Sequence, residues 1–182
     1  MSTTCNRADC LKTKPTALHP GDVLLFRPTT WLGRLVAWAT GSKYCHAAMF
    51  LGDGNVAEMR EFLGGRLLPL ANYVTEIIDV FRPVDSSSVT KIYAILRMLE
   101  LIKERYSFLH GIAAFLLRRI PKRLRKWFNF ECDHHGYHCS QAISKAYREA
   151  GFDLCSRRPD WATAPGDLAR SPSLRLIGRL DF

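Results

Sequence analysis

Hydrophobic and polar positions change period several times along this chain, and each change marks an element. Val23-Leu24-Leu25-Phe26 follows the turn residues Leu18-His19-Pro20-Gly21-Asp22 and reads as a short buried strand. From Thr30 the spacing becomes helical. Thr30 is a capping residue, and Trp31, Leu35 and Trp38 with Leu32, Val36 and Ala39 line the apolar side of the helix, which ends at Gly41-Ser42. Tyr44 to Leu51 has a period of two, with His46, Ala48 and Phe50 on one face and Cys45, Ala47, Met49 and Leu51 on the other. Gly52-Asp53-Gly54 turns the chain and Asn55 to Met59 returns as a strand. Gly64-Gly65 and Pro69 are expected to break up the next stretch. The β-formers of Tyr73 to Phe81 predict a further strand that stops at Arg82-Pro83.

A helix is expected from about Val89 to Arg105, with Ile92, Ile95, Leu96, Leu99 and Ile102 facing inward. Tyr106 to Gly111 interrupts it, and apolar Ile112 to Leu117 leads into a basic cluster and Trp127-Phe128-Asn129-Phe130. Cys139, Ile143, Ala146 and Ala150 then recur at three- and four-residue steps on one helical face, and Gly151 is a stop. Cys139 therefore opens a helix. A Pro- and Arg-rich loop follows. Ala164-Pro165-Gly166-Asp167-Leu168 and a short strand near Leu174 to Ile177 close the chain. Residues 1–19 read as a flexible lead-in and 20–182 as one α+β domain, with no internal repeat.

The 182 residues suffice for one domain with a real core, and 47% hydrophobic with 24% charged residues is ordinary for a globular chain. The six cysteines (Cys5, Cys10, Cys45, Cys132, Cys139 and Cys155) are scattered without a C-x-x-C pair. That pattern indicates neither a disulfide scaffold nor a zinc ribbon, and it suits a reduced compartment. The first ten residues carry no apolar signal region, and no run approaches the roughly 20 apolar residues of a spanning helix. The expectation is a cytoplasmic or peripheral-membrane protein. Of the net +9 charge, six come from Arg118, Arg119, Lys122, Arg123, Arg125 and Lys126. Such local basicity argues for one acidic partner surface and against specific nucleic-acid binding.

Cys139 carries the candidate chemistry. At a helix N-terminus, unpaired N–H groups and the macrodipole favour negative charge, and such sites bring a thiol from about 8.5 to roughly 3.5–7.5. A nucleophilic Cys needs a base within reach and a third group to orient it. His46 is the best base, and Glu58 lies on the returning strand. Their cooperation depends on register. A two-residue Asp53-Gly54 loop pairs Met49 with Glu58 and puts the carboxylate on the face opposite His46; a three-residue Gly52-Asp53-Gly54 loop pairs Ala48 with Glu58 on the His46 face. We expect the second.

Gly21-Asp22-Val23-Leu24-Leu25, His46-Ala47-Ala48-Met49-Phe50-Leu51-Gly52-Asp53-Gly54, Val56-Ala57-Glu58-Met59, Tyr106, His138-Cys139-Ser140-Gln141 and Pro165-Gly166-Asp167-Leu168, in that order, resemble the circularly permuted NlpC-type papain-like thiol hydrolases. The likeness is to the YiiX/YebB-like branch, with the lecithin:retinol acyltransferase group related. It implies a papain-like fold with a small antiparallel sheet packed on helices. It also implies Cys139 as nucleophile, His46 as general base and acid, Glu58 as the orienting residue, and Tyr106 as a substrate or oxyanion contact. The implied substrate is an amide or ester of a peptide, cell-wall polymer or lipid, cleaved by hydrolysis or acyl transfer through a thioester. No metal or organic cofactor is required. The acyltransferase group has a second His where this chain has Glu58, and Gln141 stands where the family often has Glu.

Two other readings compete. Cys132, His134, His135, His138 and Cys139 crowd together, but C-x-H-H-x-x-H-C matches no standard zinc finger. The segment from Tyr106 to Phe130 fits a packed helical hairpin with a solvated basic edge. It also fits an element docking on anionic lipid, or one binding another polyanion. A non-enzymatic membrane- or polyanion-binding module on a degenerate papain-like fold is the alternative function.

Overall fold

The apolar run Val23–Phe26 becomes the middle strand of a sheet, buried along its whole length. In the computed structural model, residues 11–60, 63–104, 137–156 and 158–182 are described. Their strands are β1 (Lys12–Thr13), β2 (Val23–Phe26), β3 (His46–Gly52), β4 (Asn55–Arg60), β5 (Gly64–Pro69), β6 (Ile78–Pro83) and β7 (Leu174–Leu180). They form one sheet in the order β1-β7-β6-β2-β3-β4-β5, antiparallel except for the β1–β7 pair. The described helices are α1 (Trp31–Thr40), α2 (Ser88–Leu101), α3 (Cys139–Glu149) and the short α4 (Pro165–Ala169). The chain is α+β.

Strand alternation splits the core in two. Val23, Leu25, Ala47, Met49, Ala57 and Met59 pack with Ala94 and Met98 of α2 and Ala142, Ile143, Ala146 and Tyr147 of α3. Leu24, Phe26, Ala48, Phe50 and Val56 pack with Leu70, Tyr73, Ile78 and Val80. The Tyr147 hydroxyl donates to the Gly21 carbonyl, tying α3 to the turn before β2. Gly21 has φ +88°, and a Cβ there would meet that hydroxyl at 2.6 Å, so both backbone and space require glycine.

Several expectations need correction. The Gly64–Pro69 stretch is not broken: it pairs along its length with β4 as the edge strand β5, where glycine and proline are tolerated. Tyr73 is not in a strand but ends a 3-10 turn (Leu70–Tyr73), and β6 starts only at Ile78. Lys12-Thr13 of the lead-in is held in the sheet by β7. The α2 face is rotated from the expected one, burying Ala94, Met98 and Leu101 and exposing Ile92 and Leu96. Thr30 caps α1 as expected, accepting from the Gly33 N–H; Ala37 is the buried residue of this helix, and its Trp and Leu side chains face out.

Candidate active site

The β3–β4 hairpin sets the position of the first pair of groups. Asp53 and Gly54 both have positive φ, 48° and 70°, the signature of a two-residue type I′ turn. That turn alone would have placed Glu58 opposite Met49. A bulge between Phe50 and Gly52 adds one residue, so Ala48 faces Glu58 and the carboxylate joins the His46 face. The expected register holds, through a two-residue turn and a bulge in place of a three-residue loop.

His46 Nε2 lies 2.7 Å from Glu58 Oε2, and both side chains are buried. The imidazole also packs on the Phe26 ring, with centroids 5.2 Å apart. Its second nitrogen, Nδ1, is buried and makes no hydrogen bond. Cys139 lies close enough to act on the charge of the imidazole. Burial alone would pull the His46 pKa down. The negative charge of Cys139, followed by the hydrogen bond and charge of Glu58, outweighs it and pushes the value up to about 10.

Glu58 is held from behind. Arg66, its cross-strand partner on β5, donates from Nε to Oε1 at 3.1 Å and from a terminal nitrogen to the same oxygen. Arg60 approaches Oε2 at 3.9 Å. Burial would raise the carboxyl pKa, but His46 first and Arg66 second hold it down at about 2. The Tyr73 hydroxyl lies beside this carboxylate, and burial together with the negative charge raises its pKa above the ordinary phenol value.

Cys139 is the first residue of α3, as its spacing predicts, and it is buried. His138 is the N-cap. Its Nδ1 accepts from the Gln141 N–H at 3.3 Å, and its Nε2 donates to the Trp161 carbonyl at 3.0 Å. The Gln141 side chain returns to the His138 N–H at 3.4 Å, completing a capping box. Both nitrogens of His138 are thus occupied in holding the helix start. Ser140 adds a hydrogen bond from its hydroxyl to the Thr163 carbonyl at 2.7 Å. His46 opens β3 and Cys139 opens α3, and the two meet where these elements begin.

Of the expected site residues, His46 and Glu58 are directly bonded and Cys139 lies near enough to act on the His46 charge. Tyr106, the six-residue basic cluster, Cys132, His134 and His135 lie outside the described residues. Sequence reasoning missed Arg66, Arg60, Tyr73 and the His138 cap. Arg66 was accessible in principle: reading Gly64–Pro69 as a strand after a hairpin brings it opposite Glu58.

No protein-family model matches the chain, and no curated protein matches it in sequence. Among solved structures it is similar to YiiX from Escherichia coli O157:H7, described as a metalloprotein (DUF1105). The TM-score is 0.60 at 14% identity, over 88% of this chain and 96% of that one. The likeness shows a YiiX-like fold. Among the described residues no three His, Cys, Asp or Glu side chains gather to hold a metal, and the Glu58 oxygens are taken up by His46 Nε2 and Arg66.

Proposed function

We propose that this chain is a papain-like thiol hydrolase of the permuted NlpC type, cleaving an amide or ester through a Cys139 thioester. The observation that carries the reading is the setting of His46, bonded through Nε2 to Glu58 and close enough to Cys139 for the thiol to act on its charge. The order of the elements, His strand before Cys helix, supports it.

In this reading the resting pair is a Cys139 thiolate beside a His46 imidazolium, which Glu58 orients and stabilises. The sulfur attacks the carbonyl carbon and the oxygen becomes an oxyanion. The first-turn Cys139 N–H and one further donor stabilise it, a donor of this kind contributing about 2.7–4 kcal/mol. As the intermediate collapses, the carbon–nitrogen or carbon–oxygen bond breaks, and His46 gives its proton to the leaving amine or alkoxide. Neutral His46 then takes a proton from water, whose oxygen attacks the thioester. Collapse releases the acid and returns the sulfur as thiolate beside an imidazolium.

The test is intact-protein mass spectrometry after incubation with two electrophilic probes carrying the same warhead, one on a peptide and one on a long acyl chain. The reading expects an adduct mapped to Cys139 and absent in Cys139→Ala, with the preferred probe naming the substrate class. Labelling spread evenly over the thiols would overturn it.

A further inference from the structure

Helix α1 presents its apolar side to solvent. Trp31, Leu35 and Trp38, at steps of four and three residues, are 76%, 50% and 66% exposed, and neighbouring Leu32 is 41% exposed. The opposite side carries buried Ala37 and Gly33, where a Cβ would meet Cys45 Sγ at 3.2 Å. Single exposed apolar side chains are ordinary, but four large ones on three turns form a contiguous patch that marks an interaction surface.

Charge and size indicate what the surface meets. From Val23 to Gly52 the chain carries Arg27, Arg34 and Lys43 and no acidic residue. Arg34 is exposed and flanks the Trp stripe on the helical wheel. Lys43 and Arg170, beyond the end of α1, are already placed against Asp79 and Asp167, which leaves Arg34 as the cation of the stripe. A second protein copy is a poor occupant: a ten-residue helix is about 15 Å long. One such face falls well short of the roughly 800 Å² per partner of a stable interface. A bilayer needs no matching surface. It favours tryptophan at the headgroup level and cations beside it.

We propose that α1 docks this protein on an anionic lipid surface. Trp31, Leu32, Leu35 and Trp38 enter the boundary between headgroups and acyl chains, while Arg34 meets the lipid phosphates. The docking is independent of the chemistry at Cys139. If the proposed hydrolase is correct, it also has a consequence for substrate. Phe26, which pairs with His46, and Cys45, which precedes it, flank α1 in sequence, so docking brings that end of the sheet to the membrane.

The full chain is tested by co-sedimentation with phosphatidylcholine vesicles, with and without phosphatidylserine. Wild type is expected to bind the anionic vesicles and shift its indole emission to the blue. The Trp31→Gln/Trp38→Gln double variant is expected to bind them roughly tenfold or more weakly with unchanged circular dichroism. Ile92→Gln/Leu96→Gln, on the other exposed helix, should bind as wild type. If the Trp variant does not fold, Arg34→Glu serves instead and should weaken binding to anionic vesicles alone. Cys139→Ala should dock normally, which separates this inference from the hydrolase reading. No binding by wild type, no preference for anionic vesicles, or equal loss in the α2 variant would overturn it. So would a dimer that the Trp variant dissolves, because the occupant would then be a second copy.

Discussion

Arg66 and Glu58 face each other across neighbouring strands, and the guanidinium holds the carboxylate oxygen that His46 does not. The buried carboxylate is thereby fixed in one orientation and kept ionised. In the proposed hydrolase Arg66 acts through Glu58, so its role there is positioning. Arg66→Leu is expected to lower kcat/KM about tenfold or more and to move the acid limb of the pH–rate profile to higher pH, because Glu58 loses a cation that favours its charged form. Urea unfolding should show a loss of up to about 3 kcal/mol, near the low end for breaking a buried pair. Arg66→Lys keeps the charge without the fork and should fall between. An unchanged acid limb in Arg66→Leu would remove the positioning role.

Glu58→Gln is expected to cut turnover by about 10²–10⁴ while leaving Cys139 present. It also changes how stability depends on pH. The carboxyl pKa in the fold is about 2, below its ordinary 4.5, so the stabilisation is complete above 4.5 and drains away as pH falls toward 2. The difference in Tm between wild type and Glu58→Gln should narrow over that range. His46 runs the opposite way. Raised from 6.5 to about 10, it stabilises fully below 6.5 and loses that contribution as pH rises through 10, a loss that His46→Asn should lack. Parallel Tm curves for wild type and the variants would contradict both assignments.

His138 acts on Cys139 through the backbone. As N-cap it accepts from the Gln141 N–H and anchors to the Trp161 carbonyl, which fixes where α3 begins. His138→Ala is expected to cost about 1 kcal/mol by thermal unfolding. It should also slow Cys139 alkylation several-fold as the first turn frays. His138→Asn, a good cap, should recover most of both. If His138→Ala lowered turnover while stability and alkylation stayed as in wild type, His138 would have a direct chemical role.

The central strand and the Cys139 helix were legible because each rests on local pattern: an apolar run, and a three–four repeat ending in glycine. The β5 strand was not. Gly64-Gly65 and Pro69 oppose strand propensity, and only pairing with β4 decides the matter, so Arg66 stayed hidden with it. The inward face of α2 was misjudged, and that of α1 left open, for a related reason. Periodicity identifies an apolar face without saying what covers it, and these helices bury small residues such as Ala37 and Ala94 while exposing Trp38 and Ile92. The bulge at Phe50/Gly52 left no trace beyond its glycine, yet it decides which face Glu58 occupies.

The most direct test of the account is the rate of iodoacetamide alkylation at each cysteine as a function of pH, read by peptide mass spectrometry. Cys155 supplies the contrast: burial, then Asp167, Asp153 and Asp160, push its thiol up to about 12. Cys139 is expected to react fastest, at a rate nearly flat from about pH 6 to 8, while Cys155 stays inert. His46→Ala should restore a rate that climbs toward the ordinary thiol midpoint of about 8.5. A Cys139 that reacts no faster than the other thiols, and climbs with pH in wild type as in His46→Ala, would contradict the thiolate–imidazolium pair on which the proposed hydrolase depends.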